Sequence, residues 1–189
     1  MRLIKVEQIL LNDLNLLYEP DRPLAQPIIE TLDGSQFYPD INWRVTIHFK
    51  APLRLLRKTP KIKGRAKKRL VRPEIMDFDL FFRSLLTRYS GLAIHFGQGA
   101  GNLGHTVWQE NASAVEKVVS AANNLVLEKV RRYRRGNTRW IHLDGLMGDI
   151  VFDNVSASLL RYLKMGELMH IGKFPTMGYG EYEMRLQSD

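Results

Sequence analysis

The sequence contains no cysteine and no long apolar run. Without cysteine among its 189 residues, disulfide bonds and thiolate metal ligands are excluded. The apolar runs are shorter than the roughly 18 residues that indicate a membrane-spanning helix. Near the amino terminus, Asn12 and Asp13 interrupt the apolar residues, so no signal-peptide core is predicted. We therefore expect a cytoplasmic protein with no membrane partner.

Motifs for metal or nucleotide chemistry are also lacking. Asp77 and Asp79 precede an amphipathic stretch and are predicted to cap a helix rather than to hold a metal. Gly172-Lys173 has neither the upstream glycine spacing nor the following helix of a nucleoside-triphosphate-binding loop. We accordingly expect no metal site and no cofactor.

Positive charge is abundant and unevenly distributed. The chain carries 28 Lys+Arg against 20 Asp+Glu, a net charge of +8. Eleven of these cations lie in residues 50–72 and six more in residues 129–139, and neither segment contains an acidic residue. Without these 17 cations the remainder would hold 11 basic and 20 acidic residues. Such segregation is typical of a protein that binds a polyanion, and in the cytosol nucleic acid is the favoured one.

Periodicity predicts a fold of mixed helices and strands. Val45, Ile47 and Phe49 alternate with polar residues in a half-buried strand. A helix follows from about 78 to 91, and a second amphipathic stretch from about 112 to 123, whereas residues 50–72 are predicted to form a long loop. Strands near 125–130, 140–143 and 149–152, a helix after Ser156 and a last strand over 181–186 complete the order. We predict an α+β fold, a ferredoxin-like βαββαβ domain with an antiparallel sheet.

Two parts of the chain differ in character. Residues 1–40 are interrupted by Pro20, Pro23, Pro27, Gly34 and Pro39 and are too short to build a core. We expect residues 1–40 to be an extension and residues 41–189 to be the folded domain.

A glycine-rich loop separates the last predicted helix from the last strand. Residues 170–182 include Gly172, Gly178 and Gly180 together with His170 and Lys173. Glycine lets a backbone approach a phosphate closely, although glycine and proline also occur in ordinary surface turns. The loop is therefore a candidate for gripping a nucleic-acid backbone or for bracing the fold.

Several short motifs follow one another in a recognisable order. They lie at residues 51–55, 72–89, 132–134, 145–148 and 160–166, and the last is His170-Ile171-Gly172-Lys173 followed by Met177-Gly178-Tyr179-Gly180. This order resembles the carboxy-terminal domain of the CRISPR-associated endoribonucleases of the RAMP superfamily, which process precursor CRISPR RNA. By this resemblance, residues 1–40 would be the remnant of a first domain plus a linker, and a separate first domain or other CRISPR-associated proteins would be partners.

The resemblance implies metal-independent cleavage of CRISPR repeat RNA. In that reaction a ribose 2′-hydroxyl attacks the adjacent phosphate, and histidine suits the roles of general base and general acid. His95 and His105 flank a glycine-rich segment and are the catalytic candidates. His48 and His142 lie in predicted strands. His48 is expected to face solvent or a sheet-face binding surface, and His142 to be structural or at a sheet face.

The candidate RNA-binding residues come from three segments. Tyr133 and Trp140, interleaved with the arginines, could stack unpaired bases. The candidates are Arg131, Arg132, Arg134, Arg135 and Arg139; His170, Lys173, Gly178 and Gly180; and Lys67, Lys68 and Arg69.

Three functions remain open from the sequence. The first is an endoribonuclease that cuts repeat RNA. The second is a non-catalytic subunit that holds CRISPR RNA in an interference complex. The third is a general RNA-binding domain unrelated to CRISPR.

Overall fold

The computed structural model describes residues 6–9, 14–18, 41–58, 68–96, 103–134 and 139–188. The chain divides into two compact units, Met1–Asp33 and Gly34–Asp189. In the first unit, strands β1 (Val6–Ile9) and β2 (Leu14–Tyr18) pair antiparallel.

The second unit contains the remaining described elements. In chain order they are β3 (Asn42–Leu53), β4 (Leu56–Lys58), β5 (Lys68–Leu70), α1 (Phe78–Phe96), α2 (Leu103–Lys117), β6 (Val119–Asn123), β7 (Val126–Glu128), β8 (Arg131–Arg134), β9 (Arg139–His142), β10 (Gly145–Ser156), α3 (Ala157–Met169) and β11 (Tyr182–Ser188). Short 3₁₀ turns lie at Pro73–Ile75 and Pro175–Met177.

Five of the described strands form one antiparallel sheet. Their order is β11-β3-β10-β6, and β7 also pairs with β10. Strand β3 thus lies between β11 and β10. Along the chain, α1 and α2 follow β3, and α3 follows β10. This is the βαββαβ order of a ferredoxin-like fold, so the predicted fold class is confirmed.

Alternation along the strands divides the sheet into two faces. Val45, Ile47 and Phe49 are fully buried, and Ile150 and Phe152 of β10 lie opposite Ile47 and Val45. The intervening residues of β3 point to the other face, because successive side chains of a strand alternate. There the His48 imidazole contacts the Asp149 carboxylate at 2.7 Å, with both side chains partly exposed.

Helices α1 and α3 cover the buried face. The backbone N–H of Leu80 donates to the Asp77 carboxylate at 2.7 Å, so Asp77 caps α1 as predicted. Phe81 of α1 packs edge-on against Phe49 and Tyr182, with ring centroids 6.2 and 5.6 Å apart. Burial of these rings holds the helix to the sheet.

Three predicted segments differ from the structure. The predicted long loop over 50–72 is wrong in part: β3 continues to Leu53, and β4 pairs with β5. The predicted second amphipathic helix over 112–123 is also misplaced, since α2 ends at Lys117 and β6 follows. Small residues in β6 carry little periodic signal, and pairing with β10 decides their conformation. The first helix extends beyond 91 to Phe96.

Two general features concern the whole described chain. Within the described ranges, no helix is long and apolar enough to span a membrane. Over the same residues, no group of three or more potential ligands could hold a metal ion.

Candidate nucleic-acid interface

The second basic segment forms a hairpin of strands β8 and β9, here called the basic hairpin (residues 131–134 and 139–142). Arg131 pairs with His142 and Arg132 with Ile141, while Tyr133 lies opposite Trp140. The two aromatic rings meet edge to face with centroids 5.3 Å apart. Tyr133 is 48% exposed and Trp140 60% exposed, so both rings present large apolar surfaces to solvent.

The structure describes the arginines of the hairpin to different extents. Arg131 and Arg132 are exposed. Arg134 and Arg139 pair through their backbones at the end of the hairpin, which sets two cationic residues opposite each other. Arg135 lies outside the described residues.

The first basic segment repeats this arrangement. In the β4–β5 ladder, Arg57 lies opposite Arg69 and Lys58 opposite Lys68. Lys68 and Arg69 are exposed, whereas Lys67 lies outside the described residues. Both basic segments thus contain paired strands with cationic residues at facing positions.

The glycine-rich loop (residues 170–180) is tied by its backbone to the end of β3. The N–H of Lys173 donates to the carbonyl of Arg54 at 2.9 Å, and the N–H of Gly180 donates to the carbonyl of Pro52 at 3.1 Å. Gly172 has a φ of +83°, and a Cβ there would lie 2.6 Å from the Arg54 carbonyl oxygen. The close approach thus requires glycine.

The candidate residues of this loop have different surroundings. The N–H of Gly180 is already used within the fold, whereas Gly178 is exposed and a Cβ there would meet nothing within 4 Å. Lys173 is exposed. His170 caps the end of α3 with a φ of +56°, and within the described part of the chain its buried Nδ1 has no hydrogen-bond partner.

The basic hairpin touches the glycine-rich loop. The guanidinium of Arg132 donates to the Met177 sulfur at 4.0 Å. Next to the hairpin, the Asp144 carboxylate accepts the N–H of Val130 at 3.2 Å, and the Asp144 carbonyl accepts a guanidinium N–H of Arg54 at 2.6 Å. The basic hairpin and the glycine-rich loop are therefore adjacent, and together they are called the hairpin–loop surface.

Arg54 also connects the residues beside the basic hairpin with the glycine-rich loop. Its guanidinium carbon lies 5.9 Å from the centre of the Phe174 ring, and that ring also packs edge-on against Tyr179. Burial raises the pKa of the Tyr179 phenol, and the opposing effect of Arg54 is smaller. In the sequence, Arg54 is marked only by its place in the motif at residues 51–55, because nothing local indicates that it reaches residue 144.

Helix α1 lines two clefts that contain candidate or cationic residues of this interface. The helix cleft, of about 550 Å³, lies between α1 and α2 and includes Ser90, His105 and Trp108 in its lining. The loop cleft, of about 320 Å³, lies between α1, the end of β3 and the glycine-rich loop, and includes Arg54, Arg88 and Lys173. Thr87 and Gly91 of α1 contribute to both.

The structure separates the histidines into different environments. His105 is exposed in the first turns of α2 at the helix cleft, and His95 is exposed near the end of α1. His48 lies at the sheet face, as predicted, and His142 is exposed in β9. The glycine-rich segment between His95 and His105 lies outside the described residues over 97–102.

A family comparison identifies the relatives of this chain. The sequence model of the family "CRISPR-associated endoribonuclease Cas6" matches residues 47–182, which is more than half of the chain. The chain therefore belongs to the Cas6 family. The match begins within β3 and contains α1, α2, β10, α3 and the glycine-rich loop. Comparison with curated protein sequences finds no match.

Solved structures of Cas6 proteins share the fold. A Cas6 product complex is similar over 83% of this chain and 56% of its own chain, with 17% identity and a TM-score of 0.56. A partial Cas6-RT-Cas1–Cas2 complex is similar over 78% of this chain and 23% of its own chain, with 14% identity and a TM-score of 0.52. This chain thus spans about half the length of one relative and under a quarter of the other.

Proposed function

We propose that this chain binds CRISPR repeat RNA on the hairpin–loop surface and acts in its endonucleolytic processing. Membership of the Cas6 family supports the reaction class. The observation that carries the binding role is the contact between Arg132 and Met177, which joins an arginine-rich hairpin to the glycine-rich loop. Cations there would neutralise phosphates, while Tyr133 and Trp140 would stack on unpaired bases.

The RNA contacts would be distributed over the candidate residues. Arg131 and Arg132 would bind the backbone together with Lys173, and Gly178 offers an open approach to the loop. The remaining candidates, whose contacts with RNA we likewise propose, are Arg134, Arg135, Arg139, His170, Lys67, Lys68 and Arg69. Gly180 would act by bracing the loop, since its N–H is already donated to Pro52.

The chemistry we propose is metal-independent transesterification. A general base removes the proton of a ribose 2′-hydroxyl, whose oxygen attacks the adjacent phosphorus. The bond to the 5′-oxygen breaks, that oxygen receives a proton from a general acid, and the products carry a 2′,3′-cyclic phosphate and a 5′-hydroxyl. Neighbouring cations would stabilise the charge that develops on the phosphate oxygens.

His105 is the first candidate for one of these proton-transfer roles. It lines the helix cleft beside the hydroxyl-bearing residues Thr87 and Ser90. Such a cleft has room for a nucleotide, because ligand pockets commonly enclose 300–1,000 Å³. His95 is the second candidate, as an exposed imidazole near the end of α1.

A cleavage assay in EDTA tests this proposal. The chain is incubated with a panel of end-labelled CRISPR repeat RNAs, both hairpin-forming and unstructured. We expect a single cut that leaves a cyclic phosphate. If His105 or His95 is the catalytic histidine, its replacement by alanine should reduce the cleavage rate about 100-fold or more. His48→Gln, which alters a histidine at the sheet face, is the matched control and should cleave as the unaltered chain does.

The other outcomes identify which part fails. Tight binding of repeat RNA without cleavage would refute the catalytic role and favour a non-catalytic subunit. Cleavage that disappears in EDTA but returns with a divalent cation would refute the metal-independent mechanism. Equal affinity for repeat RNA and for unrelated RNA of the same length would refute the repeat-specific role.

A further inference from the structure

We propose that the loop cleft binds one phosphate group of the RNA chain. This inference rests on the proposed function and adds to it a second contact point, on the α1 side of the glycine-rich loop. The residues that would hold the phosphate are Arg54, Arg88 and Lys173, which come from three different parts of the chain.

The charged side chains that line the loop cleft are all positive. Its described lining contains these three cations, the hydroxyls of Ser84 and Thr87, and otherwise apolar residues and glycines, with no aspartate or glutamate among them. In the helix cleft, by contrast, the one arginine, Arg83, forms an ion pair with Asp79 at 2.7 Å. A concave surface with cations of one sign attracts an anion more strongly than a flat one does, because the surrounding protein focuses the field.

The two arginines are held in place by backbone carbonyls. Arg54 donates one N–H to the Asp144 carbonyl at 2.6 Å, and the Nε of Arg88 donates to the carbonyl of Met169 at 3.1 Å. A guanidinium has five N–H groups, so these bonds orient it while leaving capacity for a further acceptor. An orientation fixed beforehand reduces the entropy that is lost when the anion binds.

The backbone of the loop brings Lys173 to the same place. The bond from the Lys173 N–H to the Arg54 carbonyl fixes the two residues as neighbours. Gly172 permits this approach, because its φ of +83° and its short distance to Arg54 exclude a side chain. The glycine therefore assembles a cationic pair from residues more than 100 positions apart in sequence.

The position of the cleft suits a continuous RNA strand. Arg54 contacts Phe174 on the loop and Asp144 beside the basic hairpin, so the cleft adjoins the hairpin–loop surface. A strand bound to the hairpin could pass over the loop and place a later phosphate among the three cations. Arginine favours this ligand, since its planar fork matches two phosphate oxygens.

The first test measures RNA affinity as a function of salt for single variants. Lys173→Gln removes one exposed charge, and Lys117→Gln, at the exposed end of α2, is the matched control. We expect Lys173→Gln to weaken binding about 5- to 10-fold near 0.1 M salt and to reduce the slope of log K against log salt by about 0.7 to 1. Lys117→Gln should change affinity less than 2-fold.

Arg88 needs a paired comparison because it also caps α3. Arg88→Lys and Arg88→Gln both lose the bond from Nε to Met169, but only the lysine variant keeps the charge. We expect Arg88→Gln to bind RNA at least 3-fold more weakly than Arg88→Lys at equal melting temperature. Equal affinities of the two variants would overturn a role for the Arg88 charge.

The decisive test locates the phosphate. RNAs with a single neutral methylphosphonate linkage, each with a 2′-O-methyl group at the same nucleotide, are compared for the unaltered chain and for Lys173→Gln. We expect one position at which the methylphosphonate weakens binding to the unaltered chain but not to the variant, since both changes remove the same contact. Additive losses at every position would overturn the proposal.

Competition with inorganic phosphate distinguishes a phosphodiester from a free anion. Sodium phosphate is compared with sodium chloride at equal ionic strength. An RNA phosphate site is supported if phosphate displaces RNA from the unaltered chain more strongly than from Lys173→Gln and if the methylphosphonate test identifies one sensitive linkage. If phosphate competes but no methylphosphonate-sensitive linkage is found, the cleft is a site for free anions, and the inference is overturned.

The result can be separated from that of the proposed function. If the unaltered chain cleaves repeat RNA while Lys173→Gln binds like Lys117→Gln, the cleft proposal fails and the proposed function stands. If the unaltered chain does not bind repeat RNA, the proposed function fails and the cleft proposal fails with it.

Discussion

Gly180 accepts the backbone N–H of Ile171 at 3.0 Å and lies so close to it that a side chain on Gly180 would overlap the Ile171 carbonyl oxygen. The N–H of Gly180 in turn donates to Pro52 of β3. One glycine thus closes the glycine-rich loop upon itself and fastens it to the sheet.

Gly180→Ala should therefore destabilise the fold. The Cβ would collide with backbone that cannot move aside, and its φ of +76° is unfavourable for alanine. We expect a loss of about 3 kcal/mol or more in the free energy of unfolding, measured by urea denaturation. Gly178→Ala is the matched control: its φ is +80° but the space around it is open, so the loss should be about 1 kcal/mol. Equal losses would contradict the packing argument.

The aromatic pair of the basic hairpin should contribute to binding unpaired RNA. Tyr133→Ala and Trp140→Ala each remove an exposed ring from the T-shaped pair. We expect each to weaken binding of single-stranded RNA by about 1–3 kcal/mol in a fluorescence titration. Leu168→Ala, which removes an apolar side chain that is 64% exposed on α3, should have no effect. An equal effect of Leu168→Ala would show that the loss is not due to stacking.

RNA affinity should depend steeply on salt, and Arg132 should account for part of that dependence. The exposed guanidinium of Arg132 lies where the hairpin meets the loop. We expect Arg132→Ala to reduce the salt slope by about 1. Lys164→Gln removes a cation that already pairs with Glu167 at 2.6 Å, and it should leave the slope unchanged. A flat salt dependence of the unaltered chain would refute phosphate binding by both basic segments.

Stability at high pH should depend on Tyr182. Its buried hydroxyl donates to the carbonyl of Leu163, and burial raises the pKa of the phenol well above 10. The unfolded chain loses this proton near pH 10 while the folded chain keeps it, so the stabilisation present below pH 10 is lost as pH rises above it. The free energy of unfolding should fall by about 1.4 kcal/mol for each pH unit above 10 from this group.

Tyr182→Phe isolates this effect. The variant should be about 1–2 kcal/mol less stable at pH 7, because the Leu163 carbonyl loses its donor. Its stability should then decline less steeply between pH 10 and 11.5 than that of the unaltered chain. Parallel curves in urea denaturation across this range would contradict the raised pKa.

Much of the fold follows from local patterns. The alternation at Val45, Ile47 and Phe49 predicts β3 and its buried face, and Asp77 predicts the start of α1. These two predictions succeed because the period of a strand and the capping of a helix are short-range properties. The prediction was wrong at β4–β5, where a charge-rich sequence hides a short hairpin, and at β6, where small residues adopt a strand only because β10 lies beside them.

The candidate site was predictable only in part. The concentration of arginine in β8 and the glycines of the loop are visible in the sequence, as are His95 and His105. Nothing in the sequence indicates that Arg88 bonds to Met169, 81 residues away, or that Arg54 bonds to Asp144. Such contacts depend on the packing of α1 and β3 against distant segments, and residue type alone does not specify them.

By itself, the sequence determined the fold class and indicated a polyanionic partner, because hydrophobic periodicity, net charge and the segregation of that charge depend only on the order of residues. The tertiary structure alone decided which residues form a surface together. It brought Arg132 to Met177 and assembled Arg54, Arg88 and Lys173 around one cleft. The physical reason is that side chains distant in sequence meet only after the sheet and helices have packed, and the glycine-rich loop can then close against β3 at the positions where glycine allows it.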